Sequence, residues 1–250
     1  SSSVSYTGTI CTYNTSYSTG VAYSSIMSTG TTYSGWQGTS GDDNVTTTQA
    51  LTGTTFKFQG QTVTGFQAST NGWMTFNTSN TLSSYTNALG GSTPTKVLAP
   101  FWDDMVLTGN DYANRNACMR YQVTGTLGSG SAVITVEWAG MEKYYAAGPN
   151  INFQVKLYES DNHIEYVYGN FEAFDGTLGA TSSLPESLYS YSVGYNGANP
   201  TGTGSVDRFA LQTPNANHFS STSDPANHKE MPVCFTQYTL TPGTYSGLTS

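Results

Sequence analysis

Charged residues are scarce. Asp, Glu, Lys and Arg together make up 10% of the 250 residues, where an ordinary soluble domain carries about 25%. Eight are basic and 16 acidic, for a formal net charge of −8. A nucleic-acid surface needs clustered Lys and Arg to displace counterions, and an anionic lipid surface needs the same, so neither partner fits. The shortage of Glu and Lys also removes the residues that ordinarily build solvent-facing helices. No apolar run approaches the roughly 20 residues of a membrane helix. No short apolar export segment opens the sequence, and Ser1-Ser2-Ser3-Val4 is the kind of end that signal cleavage leaves. The sequence holds no Gly-x-Ser-x-Gly elbow, no His-Glu-x-x-His pair and no phosphate-binding loop. Its three cysteines, Cys11, Cys118 and Cys234, follow no zinc spacing. They allow three single bridges. Cys11 with Cys234 is the expected pair, both lying near the ends of the domain, and three buried thiols are the alternative.

Polarity comes instead from Ser, Thr, Asn, Gln and Gly, and there are 18 tyrosines. Thr and Tyr suit a pleated, half-buried surface. Between Thr54 and Gly169 the apolar residues alternate with polar ones. Ile134, Val136 and Trp138 share one face of a run; Ile151, Phe153, Val155 and Leu157 share one face of the next, with Asn152, Gln154 and Lys156 opposite. A period of two over such lengths predicts antiparallel strands with one wet face. Asn71-Gly72 and Asp161-Asn162 are hairpin turns between such runs. Many strands with turn signals every 8 to 12 residues indicate an all-β fold with very little helix: an antiparallel two-sheet β-sandwich of jelly-roll or lectin-like type. Its core is expected to close around Phe101, Trp102, Trp138, Phe153 and Leu157. One domain over 1–250 is expected. Residues 1–50, rich in Ser, Thr, Gly and Tyr, form an extension packed on it, and 213–250 form a loop and a closing strand. A flexible linker would have few aromatics, and residues 1–50 have many.

Six pieces together resemble a known module: Phe56-Lys57-Phe58-Gln59-Gly60, Ser69-Thr70-Asn71-Gly72-Trp73, Leu98-Ala99-Pro100-Phe101-Trp102-Asp103-Asp104, Val136-Glu137-Trp138, Asn152 to Glu159 and Ile164 to Gly169. In order and spacing they resemble a β-sandwich found at the front of secreted and surface proteins of Bacteroidetes, many of them exported by type IX secretion. The Ala-Pro-Phe-Trp-x-Asp core is similar to the signature of nidogen-type extracellular domains. The resemblance covers about residues 54–212. It implies an extracellular, non-catalytic part in surface or matrix architecture, and it brings no ligand and no catalytic residues.

The candidate sites are few. Asp103 and Asp104, with Asp111, could ligate a structural Ca²⁺; the competing reading is a carboxylate capping a turn. Trp36, flanked by glycines, and Trp73, at a strand start, could stack on sugar rings, as could Tyr144-Tyr145 in a loop. Against this, Trp is usually buried. Glu137 and Glu142 are candidates for a glycosidase pair only because they are acidic and near strands; neither sits in an alternating Glu-x-Asp-x-x-Glu arrangement, and Glu137 is expected to face solvent or a neighbouring strand. The function expected is therefore a non-catalytic, secreted or surface-bound module that binds glycan or matrix protein. The alternative is a structural subunit of a fibre, sheath or layer, assembling through edge strands. A polysaccharide hydrolase ranks third.

Overall fold

The computed structural model describes residues 13–18, 20–87, 89, 94–107, 115–144, 151–171, 192–197, 208–212 and 237–243. Their strands are β1 (Tyr13–Ser18), β2 (Gln49–Ala50), β3 (Lys57–Phe58), β4 (Gln61–Thr62), β5 (Gly65–Ser69), β6 (Trp73–Thr75), β7 (Val97–Trp102) and β8 (Met105–Val106). There follow β9 (Met119–Thr124), β10 (Val133–Lys143), β11 (Ile151–Tyr158), β12 (Ile164–Phe171), β13 (Ser192–Asn196), β14 (Arg208–Gln212) and β15 (Gln237–Pro242). A 3-10 turn at Arg115–Ala117 is the only helical element among the described residues. All pairings are antiparallel, and the strands form an all-β sandwich. One sheet runs β1-β15-β12-β11-β10-β8, with β9 also on β10; the second runs β14-β13-β7-β6-β5-β2, and β3 and β4 form a separate two-stranded ribbon.

The alternation read from the sequence puts Ile134, Val136, Trp138, Phe153, Val155 and Leu157 into the space between the sheets, all without exposed surface. Phe153 stacks on Trp138 at 5.1 Å and meets Phe101 from the opposite sheet at 5.8 Å. Polar tips are satisfied across the gap. Trp138 Nε1 donates to Ser69 O, Tyr166 OH to Gly194 O and Tyr168 OH to Pro100 O, at 2.6–2.8 Å. The two expected hairpins form, with Ser69 opposite Trp73 and Leu157 opposite Ile164. At one edge of the first sheet the two ends of the described chain meet: edge strand β1 pairs β15, Tyr13 opposite Pro242 and Ser18 opposite Gln237.

Two features depart from simple alternation. In β7, the four residues from Ala99 to Trp102 lie opposite only three, Ser192 to Gly194, of the partner strand. This extra residue is a bulge at Pro100-Phe101, and it flips the side-chain parity. Leu98 and Phe101 therefore both face the main core. Val97, Ala99 and Trp102 turn to the far side of the sheet, where they form a second cluster with Val45, Trp73 and Leu89. Trp102 is buried as expected, but not between the sheets.

The second departure is the chain from Val21 to Thr31. It crosses the outer face of the first sheet and touches four strands in turn. The Tyr23 ring lies where a Cβ on Gly169 would come within 3.0 Å. Ser24 O accepts from Gln154 Nε2 at 2.8 Å. Tyr23 OH and Ile26 N donate to the two carboxylate oxygens of Glu137 at 2.6 and 2.7 Å. Thr31 bridges Tyr121. Glu137 does point away from the main core, as its parity requires, yet it is fully buried because this strap covers it.

Candidate functional site

The turn between β5 and β6 is the point where the quoted motifs meet. Asn71 O accepts from Asp103 N at 3.2 Å, and Asn71 Oδ1 accepts from Met105 N at 3.0 Å. Asn71 Nδ2 donates at 2.8 Å both to Asp43 Oδ1 and to Ser83 O. One buried amide thus ties together the Asp43 loop, the Ala-Pro-Phe-Trp block and the loop after β6. The two indoles on either side close on a single acceptor. Trp73 Nε1 and Trp102 Nε1 both donate to Ser84 O, at 2.9 and 3.0 Å, with ring centroids 5.6 Å apart.

This corner carries the described chain's one grouping of three potential metal-ligating side chains. Carboxylate oxygens of Asp42, Asp43 and Asp104 lie within 4.8 Å of one another. Asp43 sits at φ 46°, a left-handed conformation that Asp tolerates better than most residues. Burial, then repulsion from Asp43, raises the Asp42 carboxyl above its ordinary value, while the Asp43 N–H partly offsets the rise. The donors are all hard oxygens, which suits Ca²⁺ over a transition metal. Ca²⁺ needs six to eight oxygens, and this trio supplies three ligands at most if each binds through one atom. Among the expected ligands, Asp104 belongs to the trio. Asp103 is 2% exposed, and its Oδ1 accepts from Asp104 N at 2.8 Å, a turn-capping contact. Asp111 lies outside the described residues.

A test follows directly. Raising of the Asp42 carboxyl means a charge penalty that is present at neutral pH and relieved as pH falls through the raised value. Asp42→Asn should therefore raise the melting temperature at pH 7 by about 1–2 °C, screening keeping the gain small, and flatten its rise on mild acidification. A Ca²⁺-dependent gain in melting temperature that Asp104→Asn abolishes would instead mark the trio as a cation site.

The expected aromatic contacts are placed differently from one another. Trp73 is 0% exposed and offers no face to a ligand, because the bulge in β7 creates a second core around it. Trp36 is partly buried against the main core, its ring edge-on to Tyr33 at 5.6 Å. Tyr144 is partly buried, its N–H donating to Asp104 O at 2.9 Å. Tyr145, Cys11 and Cys234 lie outside the described residues. Cys118 is buried. Glu142 is buried as well.

Two pairs of residues escaped sequence reasoning. Asp42 and Asp43 read as a turn signal, and only the fold brings them to Asp104. Tyr85, inside a Ser/Thr/Asn loop, is 54% exposed and Leu82 43% exposed.

The chain matches the NIDO related family over residues 12–242. It belongs to the NIDO-related family. The match runs well beyond 54–212, taking in β1, the strap and β15, which the motif pieces alone did not reach. Membership makes this an extracellular-type, nidogen-like domain. No curated protein and no solved structure matches it. No helix among the described residues is long and apolar enough to cross a membrane. In this NIDO-related chain the motif residues serve a structural corner: Asn71 holds Asp103 and Gly72 holds Phe101, Trp73 packs on Trp102, and the carboxylates of Asp42, Asp43 and Asp104 stand together beside Asn71.

Proposed function

We propose that this NIDO-related chain is a non-catalytic binding module of a secreted or surface protein, of the Bacteroidetes type exported by type IX secretion, and that it attaches to glycan or matrix protein. The observation that carries the non-catalytic part is the state of Glu137. Both its oxygens are taken, by Tyr23 OH and Ile26 N, beneath a strap that leaves it no exposed surface. A glycosidase carboxylate must reach the scissile bond from a cleft, and this one reaches only its own chain. The acidic balance, −8 overall, supports neutral partners over nucleic acid or anionic lipid, and the family supports an extracellular setting.

The purified chain is expected to bind at least one member of a panel of polysaccharides and matrix proteins, and to release no reducing ends from any of them. Turnover of a polysaccharide, or no binding across the panel, overturns the reading.

A structural subunit is the second reading, favoured by β1. This six-residue edge strand, Tyr-Asn-Thr-Ser-Tyr-Ser, carries no charge, proline or bulge, which are the features that ordinarily block edge-to-edge pairing. Electron microscopy separates the two. Ordered filaments or sheets of the purified chain would favour the subunit, and monodisperse particles at all concentrations would remove it.

A further inference from the structure

We infer that the loop from Asn77 to Asn87 is the contact surface of this module, and that its ligand is a neutral polysaccharide whose sugar rings stack on Tyr85 beside Leu82. The inference rests on the binding-module reading and gives it a place and a ligand class.

The first ground is exposure. Tyr85 and Leu82 are the exposed large hydrophobic side chains among the described residues. The other described aromatics whose burial is given are buried or partly buried, down to the indoles of Trp73 and Trp102 directly beneath this loop, so a tyrosine ring half in water is the exception that calls for a reason.

The second ground is rigidity. Carbonyls along the loop are held from below by separate parts of the fold. Thr78 O accepts from Thr48 Oγ1, Asn80 O from Gln37 Nε2, Ser83 O from Asn71 Nδ2 and Asn87 O from Ser192 Oγ, at 2.6–2.9 Å. Ser84 O takes both indole N–H groups at once. A loop anchored at so many points presents its side chains already ordered, so that binding forfeits little conformational entropy. Thr81 and Thr86, both exposed residues that carry a hydroxyl, flank the two apolar side chains in sequence. A ring face with hydroxyl neighbours is the composition that a sugar, apolar on its face and polar at its edges, requires.

The third ground separates ligand classes by size and charge. A stable protein partner needs about 800 Å² on each side. Two partly exposed side chains supply apolar surface on the order of 200 Å², enough for one or two sugar rings and too little for a protein face. The loop from 77 to 87 carries no charged residue. Its neighbour Asp43 shares the Asn71 amide with Ser83, and Asp42 and Asp104 lie beside Asp43. Uronic or sulfated polymers would meet these carboxylates with like charge, so the favoured ligand is uncharged.

The experiment is affinity electrophoresis of the full chain in gels containing neutral polysaccharides (dextran, mannan, galactan, xyloglucan) or acidic ones (alginate, polygalacturonate). Retardation by at least one neutral polymer is expected. Tyr85→Ala should weaken it about tenfold, the worth of one stacked ring, and Tyr85→Trp should retain it. Melting temperatures of all variants should match the parent, since the ring is exposed. Retardation undiminished in Tyr85→Ala overturns the assignment to this loop and leaves the module reading standing. Retardation by acidic polymers alone overturns the ligand class. Binding to matrix proteins without retardation in any gel overturns the glycan inference, and absence of both kinds of binding overturns the module reading itself.

Discussion

Gly72→Ala should destabilise the protein by more than about 4 kcal/mol, an effect of the size reserved for steric or cavity defects in a core. A Cβ at this position would stand 1.9 Å from Phe101 O and 2.4 Å from Met105 Cε, on a residue whose φ is +75°. Both penalties act together. The left-handed conformation disfavours any side chain, and the β7 backbone cannot retreat, because Phe101 N already donates to Gly72 O and its own ring is packed on Phe153. Gly53→Ala is the control. Gly53 has φ +82° but nothing within 4 Å of a built Cβ, so it should cost only the conformational penalty, about 1 kcal/mol. Thermal melts of the pair read the difference directly, at about 2–4 °C per kcal/mol in a chain of this size. Equal losses in the two variants would mean that the close approach of β6 and β7 at Gly72 is wrong.

Glu159→Gln should produce the second large loss, about 2–4 kcal/mol at neutral pH. Glu159 is 5% exposed and gathers two separate segments. Its Oε1 accepts from Thr54 Oγ1, Thr55 N and Gly128 N, and its Oε2 from Gly130 N, at 2.8–3.1 Å. Burial by itself would push this carboxyl up. The N–H groups of Gly128, Thr55 and Gly130 and the Thr54 hydroxyl outweigh burial and hold it at about 2. Glutamine would aim an NH₂ at backbone N–H groups, which only donate. The pH dependence follows from linkage. A carboxyl whose folded value lies below its unfolded value adds stability above the unfolded value, and that stability is lost as pH falls through the folded one. The parent should therefore lose this contribution between about pH 4.5 and about pH 2. Glu159→Gln, already without it, should be correspondingly flatter over the same window in urea titrations. A variant as stable as the parent at pH 7, or with the same acid profile, would show that the four donors contribute nothing net.

These two residues illustrate what a sequence can and cannot disclose. Asn71-Gly72 is recognisable as a turn, and its hairpin is where local chemistry predicts. Nothing local says that Phe101 will press against Gly72, since that contact spans 29 positions and depends on β7 pairing with β6 across a long loop. Glu159 is part of a recognisable strand end, but its donors come from Thr54–Thr55 and Gly128–Gly130. The same holds for Glu137. Alternation correctly turns it away from the main core, and the reading of an exposed or strand-facing side chain then fails because a segment more than a hundred residues earlier folds over it. The aromatic candidates fail for a related reason. Trp73 begins a strand and would lie on a wet face if its sheet had one, whereas the strands β5, β6, β7 and β13 are buried on both faces. Tyr85 was passed over because a serine- and threonine-rich loop gives no signal of which side chain it leaves outside.

What the amino-acid order determined alone is the class of fold and the position of most strands. Side-chain period, β-branched and aromatic content, and turn dipeptides act over a few residues and survive without knowledge of the rest. The family signature is legible for the same reason, being a set of short pieces in order. The tertiary structure alone decided which faces are covered, where the β7 bulge divides one core into two, and which carboxylates stand together. Burial and electrostatics are set by distances in space, and in an antiparallel sandwich those distances are fixed by strands far apart in the chain.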